Sequence, residues 1–426
     1  MSQHLMNTYA PLPVAFVRGE GAWLWDDQGT RYLDAISGLG VCSLGHAHPQ
    51  VAGVIAEQAG LLLHSGNLVR IPWQERLADR LAEITCMDRV FFGNSGAEAI
   101  ECALKICRLV GHARGQENPG VIVMEHSFHG RTLAALSATG SRKVQAGFEP
   151  LVGGFVRAPF GDAEAVRTIA RRCADIGAVL LEPIQGEAGI RVPPPGYLAA
   201  LRAVCDEHGW LLIVDEIQSG LCRTGKWYAH QHEEVLPDIL TTAKALANGL
   251  PVGACIARGA AAEAFTPGRH GSTFGGNPLV TRTACTVLDI MRAEDLAARA
   301  AQTGEGMLES FRRRLGPHPD GPIHRGRPRP RRPGAGRLGQ ESARDAHVWP
   351  AMDPPRQRLR HRLFNLRQPG LLAAGDMDVG PVAKYGAPHR FPLAAPQGRE
   401  PGDVVTVPSG CLCAGRRGDR RLRAHS

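Results

Sequence analysis

Residues 210–220 read WLLIVDEIQSG, and this stretch indicates the fold most clearly. Five apolar residues lead into an acidic pair and then into a polar segment with a glycine, which is typical of a buried strand followed by a loop. A carboxylate at such a strand end costs free energy unless a cation or hydrogen-bond donors receive it. Asp215 is therefore a candidate site residue, although an Asp that only caps the next element explains the pattern equally well.

Strand-like and helix-like patterns alternate from residue 89 to residue 216. Such alternation predicts a mostly parallel sheet with helices on both faces, and in these sheets ligands bind beyond the carboxyl ends of the strands. In the first helical stretch, Glu101 and Lys105 have the spacing of an ion pair on the exposed face. The apolar runs are residues 89–93, 121–125, 178–183 and 210–216, and the helical stretches are residues 98–110, 162–174 and 197–208.

Polar segments rich in small residues follow each apolar run. In chain order they read NSGAEA, HSFHGRT, IQGEAG and IQSG, and TTAK follows a fifth strand-like run, PDIL, at residues 237–240. Because the carboxyl ends of parallel strands lie at one edge of a sheet, we expect these five segments to meet there. The sequence therefore predicts one functional site built from five loops.

Lys244 lies inside a run of small and apolar residues, PDILTTAKALANGLPVGA, at residues 237–254. Most lysines are solvated surface charges. A desolvated lysine, in contrast, loses its proton easily and becomes an amine nucleophile that forms Schiff bases with aldehydes. The choice between these roles depends on whether the other loops are able to hold an aldehyde cofactor.

Two of the loops carry features of a ligand site. In GNSGAEA (93–99), small residues open a helix, whose free N–H groups and dipole attract anions. Alternatively, Ser95 and Glu98 form a capping box without any ligand. In HSFHGRT (126–132), an aromatic ring and an arginine fit a planar ligand with a carboxylate. A metal is a poorer fit there, because no nearby carboxylate or thiol completes the two histidines.

A phosphate loop of the nucleotide-hydrolase type is the competing interpretation of residues 220–227, GLCRTGKW. The glycines and the lysine nearly match GxxxxGK[ST], and the acidic pair resembles the carboxylate that holds Mg²⁺ in those enzymes. Trp227, however, stands where a Ser or Thr must bind the metal. One strand would also have to serve as two strands of that fold, so we reject the hydrolase interpretation.

Pyridoxal phosphate explains these features together. The cofactor needs a lysine for its aldehyde, a carboxylate for its pyridine nitrogen, an anion site and flat contacts for its ring. The sequence resembles the class-III (ornithine-type) aminotransferases in its motifs GHAHP, FFGNSGAEA, HSFHGRT, EPIQGEAG, LLIVDEIQSGLCRTGKW, DILTTAKALANG and HGSTFGGNP, which occur in that family's order over about residues 7–310. The resemblance implies fold type I, an α/β fold with a mostly parallel seven-stranded sheet in a large domain and a small domain that is incomplete here.

The resemblance also implies a role for each motif residue. Lys244 would form the Schiff base and move a proton between substrate and cofactor, and Asp215 would pair with the pyridinium nitrogen. Arg131 would bind the α-carboxylate of the donor, and Glu187 would pair with an arginine of the C-terminal domain when 2-oxoglutarate is absent. The other implied cofactor contacts are Ser95, Gly96 and Ala97 at the phosphate, Phe128 and Ile217 on the two ring faces, Gln218 at the phenolic oxygen, and Thr273 at the phosphate of the neighbouring subunit.

The implied reaction is transfer of the terminal amino group of N2-acetylornithine to 2-oxoglutarate in arginine biosynthesis. Ornithine, succinylornithine and 4-aminobutyrate are the alternative donors. The implied assembly is a homodimer with shared active sites. The implied domains are an N-terminal segment of the small domain (residues 1–45), the cofactor-binding large domain (46–275), and a linking helix with the start of the C-terminal small domain (276–315).

Composition assigns the chain to an ordinary globular class. Hydrophobic residues form 43% and charged residues 21% of the 426 residues. No apolar stretch reaches the roughly 18 residues of a membrane span, and the N-terminus lacks a secretion-signal pattern. Eleven cysteines without a spacing pattern predict reduced thiols in the cytoplasm, with neither a disulfide framework nor a structural zinc site.

The C-terminal quarter has a different composition. Residues 321–426 contain 19 Arg and one Lys against eight Asp and Glu, whereas residues 1–320 contain 29 basic and 33 acidic residues. The 14 prolines of the basic segment would break most helices and strands, and no periodicity is visible. We therefore expect residues 316–426 to be an aberrant, disordered tail.

This tail stands where the family has the domain that supplies the arginine partner of Glu187. Arg390 is a weak candidate for that arginine. We interpret the sequence from about residue 315 onward as an out-of-frame extension, which would leave the chain with poor activity or none. The alternative from another class, a basic tail that binds nucleic acid, lacks the interleaved aromatic residues of such segments.

Overall fold

The structure, a computed structural model, describes residues 4–315. A small antiparallel sheet comes first in the chain, with strands β1 (Phe16–Glu20), β2 (Trp23–Asp26) and β3 (Arg31–Leu33). The Asp26 carboxylate closes the turn between β2 and β3, because it accepts hydrogen bonds from the backbone N–H groups of Gln28 and Thr30 and from the Tyr32 hydroxyl.

Seven strands form the central sheet. They are β4 (Arg89–Gly93), β5 (Gly120–Met124), β6 (Phe155–Ala158), β7 (Ile176–Leu181), β8 (Leu211–Asp215), β9 (Ile239–Thr242) and β10 (Gly253–Ala257). Their order is β4-β10-β9-β8-β7-β5-β6, and only β10 runs antiparallel to its neighbours. The predicted fold class is confirmed. The sequence pattern marked five of these strands and gave no signal for β6 and β10.

Helices connect the strands and cover the sheet. In chain order they are α1 (Ser37–Gly40), α2 (Pro49–Leu61), α3 (Pro72–Thr85), α4 (Gly96–Ala113), α5 (Leu133–Ala138), α6 (Arg142–Gln145), α7 (Ala163–Ala170), α8 (Tyr197–His208), α9 (Pro278–Ala293) and α10 (Leu296–Leu315). Short 3₁₀ turns lie at Ala229–His232, Lys244–Ala247 and Gly259–Ala261. No helix in residues 4–315 is long and apolar enough to cross a membrane.

Alternate residues of the central strands pack on opposite faces of the sheet. Val123, Leu180 and Ile213 share a buried cluster with α4. Their chain neighbours Met124, Leu181 and Val214 lie in a separate cluster with α7 and α8. Burial on both faces explains why these strands read as unbroken apolar runs in the sequence.

The direction of β10 places the five polar loops together. Because β10 is antiparallel to both β4 and β9, these two strands run in the same direction. The carboxyl ends of β4, β5, β7, β8 and β9 therefore lie at one edge of the sheet, as the sequence predicts. The domain boundaries at residues 45 and 275 stay predictions, and the predicted tail at 316–426 lies outside the described residues.

The predicted ion pair between Glu101 and Lys105 is wrong. Glu101 instead accepts a hydrogen bond from the Thr132 hydroxyl at 2.5 Å, and Lys105 lies 2.9 Å from Nδ1 of His270. Each side chain thus contacts a loop that packs beside α4. The spacing along the helix allows such a pair, but both side chains bind residues of neighbouring loops instead.

Candidate active site

Asp215 ends β8 and is almost fully buried, with 3% of its surface exposed. Its Oδ2 lies 2.7 Å from Nδ1 of His129, and its Oδ1 accepts from the Ile217 N–H at 3.1 Å and from the Thr241 hydroxyl at 3.3 Å. The Ile217 contact is the local cap that the sequence allowed. The other two partners come from distant segments, so the carboxylate is fixed in a single orientation.

Glu182 directly follows β7, the neighbouring strand, and is also buried. Its two oxygens accept from the backbone N–H groups of Phe128 at 2.9 Å and Gly186 at 3.4 Å. The pKa of Glu182 is raised to about 7, chiefly by burial; Asp215 adds to the rise, whereas His129 and the two N–H groups oppose it. Neither Glu182 nor His129 is predicted as a site residue from the sequence. The acidic residue ending AVLLE carries the same signal that identified Asp215.

Lys244 begins the 3₁₀ turn after β9, with a φ angle of 44°. A positive φ is costly for a residue with a Cβ, and such strain is typical of functional sites. Burial lowers the pKa of Lys244, while the carboxylates of Glu187, Asp215 and Glu182 oppose that change and the charge of Arg223 adds to it. The lysine thus lies among the acidic groups of the site and loses its proton more easily than a surface lysine does.

The start of α4 has a capped, open N-terminus. The Ser95 hydroxyl accepts from the Glu98 N–H at 3.2 Å, and the Glu98 carboxylate binds the N–H of Asn94. The capping interpretation of GNSGAEA is therefore confirmed, except that Glu98 binds the N–H of Asn94 and not that of Ser95, as a regular capping box would. It leaves the predicted phosphate role open, because the first N–H groups of a helix, here those of Gly96 and Ala97, have no acceptor within the helix.

Two glycines allow the loops to approach the start of α4. A Cβ on Gly96 would lie 2.6 Å from Cδ1 of Ile217, and a Cβ on Gly130 would lie 2.9 Å from Cβ of Ala97. The loop after β8 and the loop after β5 therefore both pack against this helix end. The structure thus brings the predicted phosphate and ring contacts into one place, with Phe128 on the second loop.

The predicted substrate contacts lie at the same edge. Arg131 is exposed, and its guanidinium carbon is 5.6 Å from the centre of the Phe128 ring. Glu187 accepts from Nε2 of Gln218 at 2.9 Å, which links the loops after β7 and β8. The predicted substrate-binding residues therefore lie at the same edge of the sheet as the cofactor contacts, and their roles stay predictions.

Thr273 lies on the segment between β10 and α9. It is exposed, and its neighbour Ser272 accepts a hydrogen bond from Nδ2 of Asn94 at 3.1 Å. Asn67 donates to the carbonyl groups of Ser272 and Gly275, both at 3.0 Å. The segment is therefore held beside the start of α4 with Thr273 at the surface.

The arrangement fits pyridoxal phosphate. Nε2 of His129 and Oε1 of Gln218 are among the buried side-chain atoms of residues 4–315 that have no hydrogen-bond partner. Buried polar atoms of this kind are rare unless a ligand or water completes them. Beside them stand a lysine with a lowered pKa, a buried carboxylate and an open helix N-terminus, which are the groups that the cofactor requires.

The structure also tests the hydrolase interpretation of residues 220–227. These residues form turns, and the next element is the 3₁₀ turn Ala229–His232. Lys226 donates to the Gln231 carbonyl at 3.1 Å. A phosphate loop must lead into a helix whose N-terminus binds the anion, so the rejection of this interpretation is confirmed.

Known proteins share this architecture and sequence. The family model described as aminotransferase class-III matches residues 5–319. The acetylornithine aminotransferase of Nitrosomonas europaea is 57% identical over 312 residues, which cover 73% of this chain and 79% of the relative. The crystal structure of the ornithine aminotransferase from Toxoplasma gondii has a TM-score of 0.72 at 38% identity and covers 74% of this chain and 76% of its own. Another structure of that enzyme, with partial occupancy of PLP at its active site, has a TM-score of 0.71 at 37% identity and covers 74% and 75%.

The chain belongs to the class-III aminotransferases, which are enzymes that use pyridoxal phosphate. The family and the cofactor predicted from the motifs are therefore confirmed. The family match ends at residue 319, close to the change in composition, which supports the predicted departure from the family near residue 315.

Proposed function

We propose that this class-III aminotransferase transfers the terminal amino group of N2-acetylornithine to 2-oxoglutarate, giving N-acetylglutamate semialdehyde and glutamate, in arginine biosynthesis. The observation that carries this proposal is the 57% identity to an acetylornithine aminotransferase. Further relatives at 48% and 44% identity carry the same name, so the acetylated donor is favoured over ornithine. Succinylornithine and 4-aminobutyrate are further candidate donors.

The proposed chemistry uses the groups at the sheet edge. Pyridoxal phosphate, when bound, supplies an aldehyde that bonds to amines and a ring that accepts electrons. Asp215 would hold the proton on the ring nitrogen, and His129 keeps the Asp215 carboxylate oriented through the 2.7 Å contact. Lys244 would accept the proton from the carbon that bears the donor amine. Its lowered pKa favours the neutral amine, which is the form able to accept that proton.

The remaining residues bind and orient. The Ser95 hydroxyl and the N–H groups of Gly96 and Ala97 would hold the phosphate, since an open helix N-terminus attracts anions. Phe128 and Ile217 would exclude water from the two faces of the ring. Gln218 would bind the phenolic oxygen, Arg131 the donor carboxylate, and Glu187 would serve as the carboxylate that an arginine releases when 2-oxoglutarate binds.

We also propose a homodimer in which Thr273 reaches the phosphate site of the partner subunit. Residues 61–69, which include several exposed apolar side chains, pack beside the segment of Thr273 through the Asn67 contacts and through His64, whose ring lies 5.3 Å from that of Phe274. Exposed apolar patches of this kind mark association surfaces. The exposed members of this patch are Leu61, Leu62, Leu63, Leu68, Val69 and Phe274. Light scattering should give twice the chain mass, and a monomer at micromolar concentration would contradict the dimer.

A cytoplasmic location is proposed from the thiols. The nine cysteines within residues 4–315 are all free, and free buried thiols suit a reducing compartment. Fractionation of the source cells should find the protein with the cytoplasmic markers.

We propose further that residues from about 315 onward are an out-of-frame extension, so that this chain has poor activity or none. The proposal rests on the composition and on the end of the family match. The coding DNA tests it: a one-base insertion or deletion near codon 315 should restore a strand–helix pattern and an arginine partner for Glu187. If neither alternative frame does so, or if the basic tail binds nucleic acid at physiological salt, the proposal is wrong.

The donor is tested with four amines: N2-acetylornithine, ornithine, N2-succinylornithine and 4-aminobutyrate. Each amine is mixed with the cofactor-loaded protein without an acceptor, and the loss of visible absorbance reports the first half of the reaction. The assay is run on this chain and on a frame-restored chain, which is the protein encoded after the one-base change near codon 315 has been corrected. We expect N2-acetylornithine to react fastest in the frame-restored chain, and this chain to react slowly or not at all. If the cofactor-loaded, frame-restored chain reacts with none of the four, the proposed substrate is wrong.

A further inference from the structure

Residues 43–46, which lead into the GHAHP motif, lie between the small antiparallel sheet and the 3₁₀ turn that begins at Lys244. The proposed chemistry gives them no role. Asn248, which follows this turn and caps it, holds the segment at two points. Its Oδ1 accepts from the Leu44 N–H at 2.9 Å, and its Nδ2 donates to the Gly45 carbonyl at 3.0 Å. These two hydrogen bonds, the Asn248 clamp, fasten the turn to the segment.

Asn248 combines two properties that this position requires. Its φ of 48° is left-handed, a conformation that glycine and asparagine adopt at the least cost. The Leu44 N–H only donates and the Gly45 carbonyl only accepts, so the side chain must offer one acceptor and one donor. An asparagine amide offers both. Glycine would keep the backbone conformation and lose both hydrogen bonds.

The other side of the segment is fixed to the small sheet. His46 and Gly21 exchange both backbone hydrogen bonds, at 2.8 and 3.0 Å, in an isolated antiparallel bridge. Nε2 of His46 also lies 2.7 Å from Oδ2 of Asp34. Gly45 has a φ of 79°, and a Cβ there would lie 2.8 Å from the Gly21 carbonyl oxygen, so only glycine allows this approach. The segment is therefore positioned independently of Asn248.

Residues 43–46 also contact the elements of the candidate active site. The Arg223 guanidinium, on the loop after β8, donates to the Ser43 hydroxyl at 2.9 Å. Leu44 packs against the buried cluster that includes residues 245–247. Contacts on both sides thus hold the segment in place, and the clamp joins the turn to a fixed support.

The turn itself is short and strained. Its four residues form a 3₁₀ turn, whose hydrogen bonds are less well aligned than those of an α-helix. The internal bonds run from the Leu246 N–H to the Ala243 carbonyl at 3.0 Å and from the Asn248 N–H to the Ala245 carbonyl at 3.3 Å. Lys244 has a φ of 44°, a conformation that persists only when the surroundings enforce it. The clamp supplies such an external support.

We propose that Asn248 is a positioning residue for Lys244 and that it transmits to this lysine the position of residues 43–46. The clamp fixes the end of the turn and so restricts the backbone rotations that would move its beginning. The Lys244 amine is thereby held where it meets the cofactor aldehyde. This inference rests on the proposed role of Lys244 and goes beyond it, because it assigns to Asn248 an effect on the lysine alone.

A comparison of two cofactor forms tests the proposal. Pyridoxal phosphate has an aldehyde that bonds to a lysine amine, whereas pyridoxamine phosphate lacks the aldehyde and has the same phosphate and ring. The ratio of their dissociation constants, measured by equilibrium dialysis on the full-length chain, therefore reports how well Lys244 is placed. The parent should prefer pyridoxal phosphate, and Lys244→Ala should lose that preference. If Lys244→Ala keeps it, the proposed role of Lys244 is wrong and this inference falls with it.

Asn248→Gly is the decisive variant, because it keeps the left-handed backbone and removes only the clamp. The loss of two neutral hydrogen bonds corresponds to roughly 5- to 150-fold in an equilibrium constant, so affinity for pyridoxal phosphate should fall at least ~5-fold and that for pyridoxamine phosphate less than ~2-fold. Asn118→Gly, at an exposed position, should leave both affinities unchanged. If Asn248→Gly weakens both forms equally, binds neither, or keeps the parent ratio while Lys244→Ala loses it, the positioning role alone is wrong.

Gly45→Ala tests the link to the small sheet. The added Cβ would lie 2.8 Å from the Gly21 carbonyl oxygen, so residues 43–46 must move away from that sheet. We expect the same selective loss of pyridoxal phosphate affinity, and no further selective loss in the Asn248→Gly background, because the displacement acts through Asn248. An unchanged ratio in Gly45→Ala, or a further selective loss in the Asn248→Gly background, would show that Asn248 does not transmit the position of the segment.

Discussion

Glu182 and Asp215 occupy equivalent places on neighbouring strands, but their hydrogen-bond partners differ. Both carboxylates are buried at the carboxyl end of a parallel strand. The Asp215 carboxylate is hydrogen-bonded to an imidazole, a hydroxyl and one backbone N–H. Glu182 accepts hydrogen bonds from two backbone N–H groups only, and the charge of Asp215 disfavours its ionisation. With so few partners, burial raises the pKa of Glu182 to about 7. Position at a strand end therefore predicts burial, and the partners determine what the carboxylate is able to do.

The charges of both carboxylates act on the pKa of Lys244, and removal of this lysine should have the largest effect. Lys244→Ala deletes the amine that we propose bonds to the cofactor and moves the proton, and proton transfer by a positioned side chain is worth about 10²–10⁴ in rate by itself. We expect turnover to fall below detection in the frame-restored chain, with cofactor affinity weakened but not lost. Lys226→Ala is the matched control and should keep its activity.

Borohydride reduction identifies the lysine independently of turnover. The cofactor should become fixed to the peptide that contains Lys244 in this chain. A label on Lys226 or Lys105 would disprove the assignment.

Asp215→Ala should have the next largest effect. It removes the carboxylate that we propose pairs with the ring nitrogen, and a buried, charge-assisted hydrogen bond of this kind is worth about 1.5–3 kcal/mol, which corresponds to a rate loss of roughly 10- to 150-fold. Circular dichroism should show that the fold is kept, and Asp206→Ala, at an exposed position of α8, should be unchanged. Near-normal turnover in Asp215→Ala would mean that this strand end is structural and that Asp215 is equivalent to Glu182.

His129→Asn should have a smaller effect of the same kind. The variant loses one of the three partners of Asp215, while the Thr241 hydroxyl and the Ile217 N–H remain. A hydrogen bond to a charged group contributes about 1.5–3 kcal/mol, but two partners still hold Asp215 and only part of that loss reaches the reaction, so we expect a rate loss of roughly 2- to 12-fold. The loss should disappear in the Asp215→Ala background, because His129 acts through that carboxylate. Equal losses in both backgrounds would show that His129 acts elsewhere.

The sequence predicted most of the sheet and the loops of the site, because burial on both faces leaves unbroken apolar runs and polar strand ends. It could not predict the contacts that orient the groups. His129 and Asp215 are 86 positions apart in the chain, and their pairing arises only when β5 and β8 lie in one sheet. The Glu101–Lys105 pair failed for the same reason, since the partners offered by adjacent loops are not visible along a single helix.

Among these variants, Glu182→Gln should change turnover least. Its main effect should be on how the free energy of unfolding depends on pH. In the unfolded chain this carboxyl loses its proton near pH 4.5, whereas in the folded chain it keeps the proton until about pH 7. A raised folded pKa means that the unfolded state binds fewer protons across this window, so the free energy of unfolding falls as the pH rises from 4.5 to 7. The shift corresponds to a contribution of about 3 kcal/mol.

Thermal unfolding at pH 5 and pH 8 measures that contribution. Glu182→Gln cannot ionise, so it should gain stability relative to the parent at pH 8 and little at pH 5. Glu117→Gln, at an exposed position, should show no such pH-dependent difference. If the Glu182→Gln difference is the same at both pH values, Glu182 ionises normally in the folded chain. Two backbone N–H groups would then satisfy a buried carboxylate as well as the three partners of Asp215 do, and the contrast between the two strand ends would disappear.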